Sequence, residues 1–290
     1  MASWFHYPAW LTRTGFNAPS PAAPELGAVE AVREAFAAWP KGEPYASILL
    51  VARNEEQYLF RTLQSLAALG QHWPWTLELV FVDNGSSDAT TAIAEACGLV
   101  VHREERVGGA YARQMALEKA KGRFILSVDA DTVYPPTWGL NMVEALEEQP
   151  DLACAYGMYR FLAEGNYSLW GLSLYRFLGD PVQSFRAVRR EFINVLGCNM
   201  AFRRLDALRL GGFIPMDAEK PIPEGDHGDG RLVLRLSVFG RLQPWDDPTS
   251  TAWTSPRGLG QRGGLLRVTM RRLGREARRY WPKRRTIVIE

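Results

Sequence analysis

Four short, largely apolar runs punctuate the first half of this 290-residue chain, and each is followed by a segment of helical pattern. The runs are ASILLVA (46–52), LELVFV (77–82), GLVVH (98–102) and RFILSV (123–128). Segments 55–69, 88–97, 108–122 and 136–149 read as helices; in the first, Leu59, Leu63, Leu66 and Leu69 recur at helical spacing. Strands this apolar are buried on both faces, as parallel strands covered by helices are. The alternation therefore predicts an α/β fold, a mostly parallel sheet joined by right-handed crossovers and flanked by helices. Ligands of such sheets sit beyond the carboxyl ends of the strands.

The chain divides into four spans on this reading. Residues 1–44 form a Pro- and aromatic-rich arm and a helix over 25–39 that ends at Pro40; 45–150 is the alternating half. Residues 151–256 are less regular, with an aromatic stretch (Tyr156, Tyr159, Phe161, Tyr167, Trp170, Tyr175, Phe177), a candidate strand over 195–203 and a helix near 229–240. Residues 257–290 hold eleven Lys/Arg against two Asp/Glu, a net +9, which leaves −7 for the rest of a chain whose total is +2. In that tail Leu266, Met270, Leu273, Ala277 and Tyr280 share one helical face ringed by arginines. A basic amphipathic helix over 262–281, lying on an anionic membrane surface, is the reading; a helix docked on the body with a solvated basic face is the alternative. No nucleic acid is expected, because no recognition motif accompanies the charge. Three widely spaced cysteines without metal-ligand spacing, no signal-peptide pattern and no apolar run of spanning length predict a cytoplasmic chain, peripheral at most to the inner membrane face.

The strand ends carry the candidate chemistry. Asp129-Ala130-Asp131 follows the fourth run, and alternate strand residues share a face, so two carboxylates can meet one hard cation. A solvated, capping turn is the plainer alternative. Asp83 directly follows the second run and can face the ligand crevice, whereas Asp88 reads as a helix cap. Arg53-Asn54-Glu55-Glu56 joins the first run to its helix; Glu56 at a helix start is explained by the dipole alone. Neither a Gly-x-Gly-x-x-Gly nor a Walker-type phosphate loop occurs, which disfavours dinucleotide dehydrogenases and P-loop enzymes.

In this order ILLVARNEEQYLFRTLQSL, LVFVDNGSSDATTAIA, GGAYARQMALEKAKGRFILSVDADT and LGCNMAFRR…GGF resemble a family 2 glycosyltransferase of GT-A fold, over about residues 45–245. The resemblance implies a nucleoside diphosphate sugar donor, a divalent cation (Mg²⁺ or Mn²⁺) and inversion at the anomeric carbon. It places Ala52, Arg53, Glu55 and Asp83 along the nucleoside and Arg113 near the donor. It puts Asp129 against the nucleotide sugar and the cation, and makes Asp131 the metal ligand. The family's later acidic motif is Glu-Asp, then Leu three residues on and Arg-Leu; here PEGDHGDGRLVLRL puts Gly228 in the Glu slot and Asp229, as catalytic base, in the Asp slot. Asp226 and Glu224 are the fallbacks for the base. His227 is a candidate third ligand whose plainer reading is a polar loop residue.

Such a reaction needs little else. A cation neutralises the leaving diphosphate, and one carboxylate deprotonates the acceptor hydroxyl. The acceptor is expected to be a sugar, glycan or lipid-linked hydroxyl. The aromatic stretch could stack on it, although core packing explains most of those rings. The Gln-x-x-Arg-Trp signature of processive synthases is absent, so single addition is expected. The rivals are a sugar-nucleotide nucleotidyltransferase, which should have a Gly-rich loop after the first strand, and a catalytically inactive sugar- or membrane-binding protein.

Overall fold

The structure, a computed structural model, describes residues 6–18, 24–177, 179, 191–213 and 228–261, with 267, 270 and 274. Glu224, Asp226, His227 and most of the tail helix over 262–281 lie outside the described residues.

After two helices, α1 (Ala9–Arg13) and α2 (Leu26–Ala37), the alternation expected from the sequence appears. It runs β1 (Ala46–Ala52), α3 (Leu59–Ala67), β2 (Leu77–Asp83), α4 (Thr90–Ala96), β3 (Val101–Arg103), α5 (Gly109–Lys119), β4 (Phe124–Asp129), β5 (Thr132–Val133) and α6 (Leu140–Glu148). The second half contributes β6 (Leu152–Gly157), β7 (Tyr159–Phe161), a helix α7 over 169–177, β8 (Asn199–Arg203), α8 (Arg204–Arg209), α9 (Gly228–Leu236), β9 (Arg241–Trp245), β10 (Ala252–Thr254) and α10 (Arg257–Gln261). The third strand is shorter than its apolar run. Gly98 closes α4 at φ +81°, and the Leu99 amide reaches back to the Ala94 carbonyl, so residues 98–100 form the helix stop.

Seven strands form the main sheet in the order β3-β2-β1-β4-β8-β6-β9. The first four are parallel; β8 runs antiparallel to both β4 and β6, and β9 is parallel to β6. Alternation along β1 shows how helices cover both faces. Ile48, Leu50 and Ala52 pack with Leu59, Leu63 and Leu66 of α3 on one side, while Leu49 packs with Ala112, Ala116 and Leu117 of α5 on the other.

A second sheet of three short strands, β5-β10-β7, sits beside the end of β4. The N-terminal arm packs there: Leu11 of α1 is buried with Val133, Leu162 and Trp253, and the Tyr7 ring meets Trp253 edge-on at 5.2 Å. Most of the aromatic stretch is core. Tyr156 is buried, and Phe161 packs with Tyr159 and Tyr175 over Leu172 and Leu259. Trp170 and Phe177 are exposed.

Candidate functional site

Register brings the strand ends level. Ala52 pairs with Asp83, and Val51 pairs with both Val82 and Asp129, so the carboxylates of β2 and β4 leave the sheet on one edge. The loops above them are locked to each other. Asn54, in the left-handed region at φ 54°, accepts the Ser87 amide on its side-chain oxygen at 2.8 Å, and its own amide donates to Ser86 Oγ at 2.9 Å. Gly85 turns at φ +72° directly after Asp83 and Asn84. Asp83 accepts the Ser86 amide at 3.1 Å; Asp88 is not the N-cap of α4, which is Ala89, but stands one residue before it and accepts the Thr90 amide at 3.0 Å. The Asn84 amide group donates to the Glu104 and Arg106 carbonyls at 3.0 and 2.8 Å, so the loop after β3 is held beside the loop after β2. Between them lies a cleft of about 400 Å³, lined by Asp83, Gly85, Ser87, Arg103 and Glu104 among others. Ala52 is buried at the end of β1, and Arg53 is exposed beside it.

Next to this cleft two ion-pair systems meet at the end of β4. In the first, Arg113 of α5 donates to Asp129 Oδ1 at 2.6 Å and lies 3.5 Å from Asp229 Oδ1. The other oxygen of Asp229 accepts the Gly197 amide at 3.1 Å. A Cβ on residue 197 would stand 2.4 Å from that oxygen, so only glycine lets α9 bring Asp229 this close to the turn before β8. In the second system, Arg257 at the start of α10 donates from Nε to Asp131 Oδ2 at 3.1 Å and from Nη2 to Glu55 Oε1. The Thr132 and Thr254 hydroxyls lie 3.2 and 3.3 Å from Asp131 Oδ1.

Four carboxylates (Glu55, Asp129, Asp131, Asp229) thus face two guanidiniums (Arg113, Arg257), a formal charge of −2. Burial comes first in setting the ionisation, and that excess adds to it. Burial lifts Glu55 to about 7, Arg257 pulls it back, and Asp131 and Asp129 raise it further. Asp129 keeps 37% of its side-chain surface open; desolvation raises it most, Arg113 opposes, and Asp131 and Asp229 add to the rise, to about 6. Arg113 is held protonated by Asp229 and Asp129 although its burial works the other way.

Asp83, Glu55, Arg113, Asp129, Asp131 and Asp229 therefore gather on one edge of the sheet. Among the described residues no three His, Cys, Asp or Glu side chains group as metal ligands. Arg257 was not singled out from the sequence, where it stands at the head of a run of basic residues.

The family model for Glycosyl transferase family 2 matches residues 47–208, more than half of the chain. The chain belongs to glycosyl transferase family 2. The family match contains Ala52, Arg53, Glu55, Asp83, Arg113, Asp129 and Asp131, and ends before Asp229 and Arg257. A curated relative is a Bacillus subtilis (strain 168) glycosyltransferase named for teichuronic acid biosynthesis, TuaG, 29% identical over 151 residues, 49% of this chain and 52% of the relative. The chain spans about a third to a half of the length of the curated relatives it matches. Among solved structures it resembles the Pyrobaculum calidifontis mannosyltransferase PcManGT in complex with GDP-Man and Mn²⁺ (18% identity, TM-score 0.54, 84% of this chain and 68% of that one). It also resembles Mycobacterium tuberculosis glucosyl-3-phosphoglycerate synthase with Mn²⁺, UDP-glucose and phosphoglyceric acid (18%, TM-score 0.53, 91% and 83%). The fold is the GT-A type expected of a family 2 member.

Proposed function

We propose that the chain is a metal-dependent, inverting glycosyltransferase that moves one sugar from a nucleoside diphosphate sugar to an acceptor hydroxyl. The observation that carries the reading is the convergence of Asp129, Asp131 and Asp229 on one sheet edge, with Arg113 tying the first to the third. The family membership and the nucleotide-sugar complexes of PcManGT and glucosyl-3-phosphoglycerate synthase support it.

The side chains fit a hard cation. Asp131 would hold it, with Asp129 beside it, and Glu55 Oε2 is a buried carboxylate oxygen without a hydrogen-bond partner at the same place. One divalent ion would cancel the site's formal −2. When bound it would neutralise charge on the leaving diphosphate.

The chain's own groups do the rest. The cleft lined by Asp83, Ser87 and Arg103 receives the nucleoside, and Ala52, Arg53 and Glu55 stand on the neighbouring strand end and loop of β1. Arg113 faces the donor and fixes both aspartates. Asp229 takes the proton of the acceptor hydroxyl; with one oxygen on Arg113 and the other on the Gly197 amide, it is oriented and still keeps lone pairs free. The acceptor is a sugar, glycan or lipid-linked hydroxyl approaching from the side of the second half of the chain, and association with an anionic membrane through 262–281 belongs to the same proposal.

Two variants test it. Asp131→Ala should stay folded and lose Mn²⁺-dependent binding of UDP and GDP in titration calorimetry. Asp229→Asn should keep that binding and lose transfer by roughly 10²–10⁴-fold. A folded Asp131→Ala protein with unchanged metal-dependent affinity defeats the cation assignment, and an active Asp229→Asn moves the base elsewhere.

A further inference from the structure

The cation site already holds a cation of the chain's own. Arg257 puts its Nε 3.1 Å from Asp131 Oδ2 and its Nη2 on Glu55 Oε1, and its guanidinium lies over the Tyr58 ring at 4.9 Å from the centroid. Asp131 and Glu55 are 15% and 11% exposed, whereas the Arg257 side chain is 34% exposed. The arginine closes the site from its solvent side. Its backbone cannot withdraw easily. Leu259, two residues on, is buried against Phe161 and Leu172, and the Ser255 amide is bonded to the Asp131 carbonyl at 3.1 Å. Movement is left to the long side chain.

We propose that Arg257 is the resident counter-ion of the cation site: it satisfies Asp131 and Glu55 while the donor pocket is empty, and yields Asp131 to a divalent cation only when a nucleoside diphosphate enters with it. The inference rests on reading Asp131 as a cation ligand. Two positive charges cannot share Asp131 without mutual repulsion, so a metal arriving alone must break the Asp131 arm of a guanidinium that bridges two carboxylates and leave it with Glu55 alone. A diphosphate removes that penalty, because its oxygens match the guanidinium fork as well as a carboxylate does. Arg257 then turns from Asp131 to the phosphates from the same anchored backbone. Cation and nucleotide binding are coupled in this scheme, and the coupling is reciprocal.

The test measures Mn²⁺ binding to the full chain by the electron paramagnetic resonance of free Mn²⁺, with and without UDP or GDP. Arg257→Gln keeps size and polarity and removes the charge; Arg257→Lys keeps the charge. Mn²⁺ alone should bind Arg257→Gln about tenfold more tightly than the parent, within the usual range of coupling between sites, and the enhancement by nucleotide should shrink accordingly. Arg257→Lys should stay near the parent. If Arg257→Gln binds Mn²⁺ alone no better than the parent, while Asp131→Ala still abolishes Mn²⁺–nucleotide binding, Arg257 is not the gate and the cation assignment stands. If Asp131→Ala changes nothing, the cation assignment fails and the inference falls with it.

Discussion

Glu55 carries a carboxyl that burial brings into the neutral range. Burial raises it from 4.5 to about 7 despite Arg257. A group raised in the folded state contributes stability that is fully present below the unfolded value of 4.5 and is lost as pH rises through about 7. Glu55→Gln, which cannot ionise, should escape that loss. Its melting temperature relative to the parent should climb between pH 5 and pH 8, by at most about 3 kcal/mol of stability at about 1.4 kcal/mol per unit. A difference flat with pH in a buffered thermal melt would show that Glu55 is ionised throughout. At this scale much of the candidate site was legible. Asp83, Asp129 and Asp131 could be found because each follows an apolar run, and strand ends are where a parallel sheet presents its ligands. Arg257 could not. It meets Asp131 across 126 positions, and nothing in a cluster of arginines distinguishes the one that turns inward.

The elements explain why reading faded along the chain. β1, β2 and β4 have six or seven residues and are covered on both faces, so their sequences are largely apolar. β5, β7 and β10 have two or three residues each, too few to show any period, yet their pairing of Trp253 with Val133 and of Thr254 with Thr132 brings Arg257 to the site. The Arg-Leu that sets the register of Asp229 is Arg235-Leu236, and the fold supplies the reason for that arginine. Its guanidinium caps the carbonyls of Leu210 and Gly212 after α8, at 2.6 and 2.5 Å, which fixes α9 and with it Asp229. Gly197 is the other half of that placement. Gly197→Ala would push a methyl into the Asp229 carboxylate. We expect a folded protein destabilised by about 1–3 kcal/mol, with turnover down by roughly 10²-fold from a displaced base and the donor KM little changed. Equal losses in kcat and in donor binding would mean that Asp229 serves the donor rather than the acceptor.

On the scale of the whole molecule the strongest asymmetry is charge. Residues 262–290 carry ten Lys/Arg and two Asp/Glu, and removing them takes the net charge from +2 to −6. Among the described residues no helix is long and apolar enough to cross a membrane. The proposed attachment to a bilayer is through the tail. The apolar positions Leu266, Met270, Leu273, Ala277 and Tyr280, with Trp281, are too few to hold a bilayer firmly on their own. Each arginine near an anionic leaflet adds about 1 kcal/mol, and salt screens that attraction within a Debye length of ~10 Å at 0.1 M. The cut belongs after Gln261, because Leu259 is part of the packed cluster with Phe161 and Leu172, and Arg257 is part of the site. The chain ending at Gln261 should melt within a few degrees of the 290-residue chain and keep nucleotide binding. In sedimentation assays the full chain should bind vesicles containing acidic phospholipid, ignore neutral ones and release at high salt, and the truncated chain should bind neither. If the truncation instead aggregates or melts far lower, the apolar face of the tail belongs to the body of the protein and its arginines are merely solvated.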